Sequence, residues 1–170
     1  MVAPIITHVI GITALIAIMV IIIIYVGFMT QAMMYENVQR NLEYVSQSIS
    51  MQLLYAITSD TNMTIQLNYP IVVGKNTFYN IYIGNTSYVL QVAPFLNDKL
   101  SPSTLYVLTM TPDKTVYAYT PVCNITYNGK LILVENNLLV IGSGTVTTLA
   151  ININTTNIYI SIYKMEVRYP

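Results

Sequence analysis

The first 35 residues contain no Asp, Glu, Lys or Arg, and within them Ala14 to Phe28 (ALIAIMVIIIIYVGF) is almost wholly aliphatic. Such a segment cannot be left in water and must lie in lipid or inside an assembly. At about 1.5 Å per residue, a helix from Pro4 to Phe28 exceeds the roughly 20 apolar residues that cross a ~30 Å hydrocarbon core. A removable secretory signal fits less well, because such signals carry a basic n-region, a short apolar core and a small-residue cleavage site. Here the first basic residue is Arg40. Lys and Arg near the ends of a span set its orientation. Arg40 taken alone favours a cytoplasmic C-terminal side, whereas the rest of the chain reads as an exported domain. A short basic leader, cut off ahead of residue 1, reconciles the two.

Past the apolar run the helical signal changes character. Met34, Val38, Leu42, Val45, Ile49, Leu53 and Ala56 recur every three or four residues and share one helix face, while Gln39, Arg40, Glu43, Gln47 and Ser50 fall on others. The pattern predicts one long helix from Pro4 to Ala56, softened near Gly27, apolar all round in its first half and amphipathic in its second. Pro4 suits the first turn, where its missing N–H costs nothing. Thr58, Ser59 and Asp60 end the helix.

From Asn62 the hydrophobic period drops to two. Met63, Ile65, Leu67 and Tyr69 alternate with polar residues, as do Ile158, Ile160 and Ile162. Further β-rich runs cover 77–83, 87–93, 104–110, 115–120, 130–135, 138–141 and 145–153. Turn residues separate them at Gly74, Gly84-Asn85, Pro112-Asp113, Asn128-Gly129, Asn136-Asn137 and Gly142-Ser143-Gly144, the last read as a hairpin. The expected fold is α+β: a helical segment over 1–57, then an antiparallel, immunoglobulin-like β-sandwich over 58–170. The amphipathic stripe can pack on its own β domain, on neighbouring helices, or on both.

Composition narrows the function. Charged residues make up 8% of the chain, against about 25% in ordinary soluble domains. Tyr occurs 15 times and Trp never, so Tyr, Asn, Thr and Ser must cover the surface. With few carboxylates to protonate, little stability is linked to acid pH, which suits an acidic or hot habitat. Net charge is zero, which favours association and argues against nucleic acid as a partner, since that needs a basic patch. Cys123 is the only cysteine, so no intramolecular disulfide forms.

The segment Ala3-Pro4-Ile5-Ile6-Thr7-His8-Val9-Ile10, followed by the Ile/Val/Ala run and a Tyr/Ser/Thr/Asn-rich β region, resembles the archaeal type IV pilins, the filament subunits whose family includes the archaeal flagellins. The likeness covers the whole chain in layout and residues 2 to about 30 in sequence pattern. It implies a preprotein with a basic leader, membrane insertion before assembly, and a helical homopolymer with helices in the core and β domains outside, often glycosylated. Helix residues expected to carry assembly are Pro4, Ile5, Ile6, Gly11, Ala14, Ala17, Ile21, Met34, Val38, Leu42, Val45, Ile49 and Leu53. Gly11, Ala14 and Ala17, three apart, allow close helix approach.

No catalytic constellation or cofactor motif is present. His8 has no Cys, Asp or Glu within 25 residues to complete a metal site. Gly142-Ser143-Gly144 is too short for a phosphate loop and no helical pattern follows it. Four Asn-X-Ser/Thr sequons, at Asn62, Asn85, Asn124 and Asn154, are candidate glycosylation sites; roughly two or three would arise by chance. The expected function is a subunit of an extracellular filament for adhesion to surfaces or cells, contacting a cell-surface layer or glycans. The alternatives are a flagellin of a motility filament, a membrane-anchored accessory or stator protein of the archaeal motility machinery, and, in a different class, a membrane-anchored ligand-binding module or enzyme. The last would want a charged cluster in the β domain.

Overall fold

The computed structural model describes residues 3–74 and 76–167, with side chains from residue 8 onward. Helix α1 spans Ala3–Thr58. Gly27 does not soften it: the helix runs on through this position, as a lone glycine costs only ~1 kcal/mol against Ala. The chain divides after Asn37 into two compact units, earlier than the helix end used above to separate domains. The reason is packing, because Leu42, Val45, Ile49, Leu53, Ala56 and Ile57 are buried in the same core as the β strands.

The second unit is a two-sheet sandwich. Its strands are β1 (Met63–Gln66), β2 (Asn80–Asn85), β3 (Thr104–Met110), β4 (Tyr117–Asn124), β5 (Thr126–Tyr127), β6 (Lys130–Val134), β7 (Leu138–Gly142), β8 (Thr145–Ile153) and β9 (Asn157–Val167). One sheet has the order β1-β8-β9-β6-β5 and the other β4-β3-β2-β7. All pairings are antiparallel except β6 with β9. The inner faces meet through Ile81, Ile83, Val107 and Ile141 from one sheet and Leu149, Ile151, Ile158 and Ile160 from the other. The amphipathic part of α1 completes this core, so the chain is α+β with a C-terminal β-sandwich.

Hydrogen bonds fix α1 to both sheets. Ser50 donates to the Pro121 carbonyl at 2.9 Å, and the Ser46 hydroxyl meets that of Thr120 at 2.7 Å, both on β4. On the other side the Asn68 N–H donates to Gln52 Oε1 at 3.1 Å, just past β1. Ser50 is thus a buried anchor rather than a residue of the wet face.

Three expectations for the β region are corrected. Residues 87–93 are not a strand: Thr86–Val92 form helix α2, and Asn85 Oδ1 accepts the Tyr88 N–H at 3.2 Å as its N-cap. Thr86, Val89, Ala93 and Leu96 are buried at helical spacing, and the last three join Leu100, Tyr106 and Leu108 in a second small core on the outer face of β3. Consequently β3 is buried along its whole length. Gly84-Asn85 makes no turn either; Gly84 lies inside β2, where a Cβ would meet Leu138 Cδ1 at 2.7 Å and Asn137 O at 3.0 Å. Finally, Gly142-Ser143-Gly144 links β7 in one sheet to β8 in the other, so it is a corner and not a hairpin within one sheet. Ser143 extends the first of these sheets, donating its N–H to Tyr79 O and accepting the Tyr79 N–H on its hydroxyl.

The Asn128-Gly129 turn follows its expectation. It joins Tyr127 to Lys130 with both central residues at positive φ, 49° and 75°, as a two-residue hairpin loop requires.

Candidate assembly surface

In the first unit every described side chain from His8 to Asn37 is exposed. Leu15, Met19 and Ile23 on one side of the helix, and Phe28 on the opposite side, are each 64–70% exposed. Burying one such side chain is worth about 1.5–3 kcal/mol, so leaving all the exposed large apolar side chains between Val9 and Tyr35 in water costs on the order of 30 kcal/mol or more. That exceeds the ~5–15 kcal/mol by which a whole domain is stable. The helix is long and apolar enough to cross a membrane.

The few polar groups here are quieted locally. Thr13 donates its hydroxyl to Val9 O at 2.9 Å and Thr30 to Val26 O at 2.8 Å. Hydroxyls bonded to the preceding turn cost little in an apolar setting. Gly11, Ala14, Ala17 and Ile21 are exposed, and nothing lies within 4 Å of a Cβ placed on Gly11. The backbone at Gly11 is therefore open to close approach. Pro4, Ile5 and Ile6 fall in the first turns of α1, and their side chains lie outside the described residues.

The expected assembly residues divide into two groups. Met34 is exposed, with Gly11, Ala14, Ala17 and Ile21. Leu42, Ile49 and Leu53 are fully buried, Val45 nearly so, and Val38 packs against the same core. Their own sheets cover them, so they hold the β domain together and are closed to a neighbour. The sequence reading left own-domain and neighbour packing both open; the structure gives this stripe to its own domain.

A different stripe, which sequence reasoning missed, faces away from the core. Tyr44, Met51 and Tyr55 are 70%, 72% and 71% exposed. At 3.6 residues per turn, offsets of seven and four place them on one side of α1, opposite Leu42 and Ile49. The periodicity was present in the sequence, but the stronger Leu/Val/Ile stripe overshadowed it.

The sequons sit in distinct settings. Asn62 Oδ1 accepts the Ile153 N–H at 2.6 Å, and Asn154 Oδ1 accepts the N–H groups of Thr156 and Asn157 at 3.1 and 2.7 Å. In both, the acceptor faces the backbone, which turns the amide nitrogen outward. Asn62, Asn124 and Asn154 are exposed; Asn85 is half-buried and caps α2.

The tyrosines divide between the core and the surface. Tyr69 donates to Thr145 O at 2.8 Å, Tyr79 donates to Pro70 O at 2.5 Å, and Tyr106 accepts the Ser101 N–H at 2.9 Å, each with its ring buried. Tyr44, Tyr55, Tyr159 and Tyr163 are exposed.

Among the described residues no three His, Cys, Asp or Glu side chains gather where a metal could be held. Two open grooves flank α1 in the second unit. One, of about 340 Å³, is lined by Tyr44, Ser48, Tyr69 and Pro70; the other, of about 430 Å³, by Gln39, Glu43, Gln47, Lys99 and Tyr117. Burial pushes the Cys123 thiol up to about 11, which keeps it protonated at neutral pH. Compared with known protein families, with curated proteins and with solved structures, the chain matches none of them.

Proposed function

We propose that this chain is a structural subunit of an extracellular, helical, type IV pilus-like filament serving adhesion. The observation that carries the reading is the pairing of a helix apolar on every exposed side with a β domain whose own core is complete. A helix of that kind is satisfied only when surrounded. Lipid surrounds it before assembly, and the helices of neighbouring copies surround it afterwards. A head-to-tail contact that does not close on itself builds an open helix of subunits from many such chains.

Lipid tails are as apolar as Ile, so transfer from membrane to filament gains little hydrophobic free energy, and close packing must contribute the difference. Gly11, Ala14 and Ala17 supply positions for close helix approach. Tyr44, Met51 and Tyr55 supply an outward contact stripe on the domain side of α1, large in area and low in charge. The sparsely charged, Tyr- and Asn-rich β domain forms the exterior, with exposed sequons for glycans.

Mechanical shearing of cells that make the protein tests this reading. The filament account expects the chain in the sheared fraction, in many copies, with mass spectrometry finding an N-terminus produced by removal of a leader. Recovery only in the membrane fraction, at low copy number and unprocessed, would instead identify a membrane-anchored accessory protein.

A further inference from the structure

Strand β9 outruns its neighbours. β6 accompanies it only as far as Ile160, and the Ile162 N–H is taken by the Glu135 carboxylate at 2.9 Å. Beyond that point residues 163–167 are exposed; 164–167 pair only with β8, through Thr145 to Thr148, and Tyr163 is the bulged residue between the two registers. Their second edge has no strand beside it among the described residues. A bulge opposite Thr148 and Leu149 resets the alternation. After it, Met165 and Val167 share one face while Lys164 and Glu166 share the other, their charged groups 2.5 Å apart. Tyr163, Met165 and Val167 are 69%, 42% and 66% exposed.

An unpaired edge flanked by apolar side chains is a template for another strand. We propose that the partner is a second copy of this chain, adding its own residues 163–167 antiparallel and two-fold symmetric about Met165. The charge order selects this partner and this register. With the axis at Met165, Lys164 lies opposite the second copy's Glu166 and Glu166 opposite its Lys164. On the other side Met165 meets its own copy, with Val167 beside it on the same face. Moving the axis by one residue places Lys164 against Lys164 or Glu166 against Glu166, and like charges directly opposite are destabilising. The contact is isologous and stops at two copies. It is therefore separate from the open contacts of a filament and does not rest on that reading; between filaments it would act as a lateral clasp.

Disulfide trapping of the full chain in non-ionic detergent tests it. In a Cys123→Ser background, Met165→Cys places two thiols on the symmetry axis, where directly opposed strand residues stand about 4.5–5.5 Å apart, within disulfide reach. Mild oxidation is expected to give a covalent dimer with Met165→Cys and not with Val140→Cys, an exposed position on the edge strand β7 of the other sheet. Adding Lys164→Glu or Glu166→Lys alone should lower the yield roughly tenfold, because two opposite-charge pairs become two like-charge pairs. Mixing the two single-charge variants, or combining both changes in one chain, should restore it, which also shows that each variant folds. Equal trapping at 140 and 165, or single-charge variants that trap as well as their parent, would overturn the proposal.

Discussion

The Thr109 hydroxyl, buried on the inner face of β3, donates to the Leu42 carbonyl of α1 at 3.0 Å, with Ala118 O at 3.3 Å as its second acceptor. It ties the central strand of one sheet to the backbone of the helix that covers it. Together with Ser46 and Ser50 it makes α1 an integral part of the β domain from Val38 onward, rather than a separate stalk.

Thr109→Val keeps the shape and removes the bond. A net hydrogen bond is worth about 0.5–1.5 kcal/mol, and the Leu42 carbonyl retains its helical partner, so the β domain should lose about 1 kcal/mol. Urea unfolding in detergent, followed by tyrosine fluorescence, measures this as a lower midpoint with an unchanged slope. An unchanged midpoint would mean that the hydroxyl contributes nothing net.

Gly84→Ala forces a methyl group against Leu138 and the Asn137 carbonyl. The backbone oxygen cannot swing aside as a side-chain tip can, so overpacking should cost about 1–3 kcal/mol. Gly11→Ala meets nothing within 4 Å in the single chain and should firm the helix by about 0.5–1 kcal/mol. Under the filament proposal the larger Gly11→Leu nevertheless reduces filament yield, since close approach is lost. Circular dichroism compared with the amount of sheared filament separates the two effects.

Cys123 should alkylate slowly while the domain is folded. With its thiol held up at about 11 by burial, against an ordinary value of 9.0, the thiolate fraction at pH 8 falls by about a hundredfold. Iodoacetamide labelling, native against urea-unfolded, reads this directly. The sign for stability follows: the protonated thiol is favoured in the fold, so this contribution is present below pH 9 and is lost as pH rises from 9 towards 11.

Glycopeptide mass spectrometry of native protein should find Asn62, Asn124 and Asn154 more occupied than Asn85. The first three are exposed, whereas Asn85 is half-buried at the start of α2. Higher occupancy at Asn85 would show that modification precedes folding of this segment.

Much of the fold was legible because a single period governed each stretch. β3 and β8 have the bounds of the β-rich runs read in the sequence, and the helix was found to within a few residues at each end. The misreadings arose where tertiary contacts decide the outcome. Ser87–Ala93 alternates enough to imitate a strand, yet the Asn85 cap and the second core behind β3 make it a helix. Gly84 looked like turn chemistry, although its role is close packing against Leu138. Gly142-Ser143-Gly144 carries the same turn residues whether a chain reverses within a sheet or crosses between sheets. For the assembly surface, the Leu42/Ile49/Leu53 stripe was visible but not its owner, because an apolar face does not say which molecule covers it. Tyr44, Met51 and Tyr55 became recognisable only once that stripe was seen to be buried.

Cryo-electron microscopy of appendages sheared from cells tests the central proposal most directly. The account predicts a helical filament built from this chain, with the helices of residues 8–35 packed together along the axis, excluding water, and the β domains outside. Filaments in which these helices are absent from the core, or sheared material lacking this chain while it remains in the membrane, would contradict it.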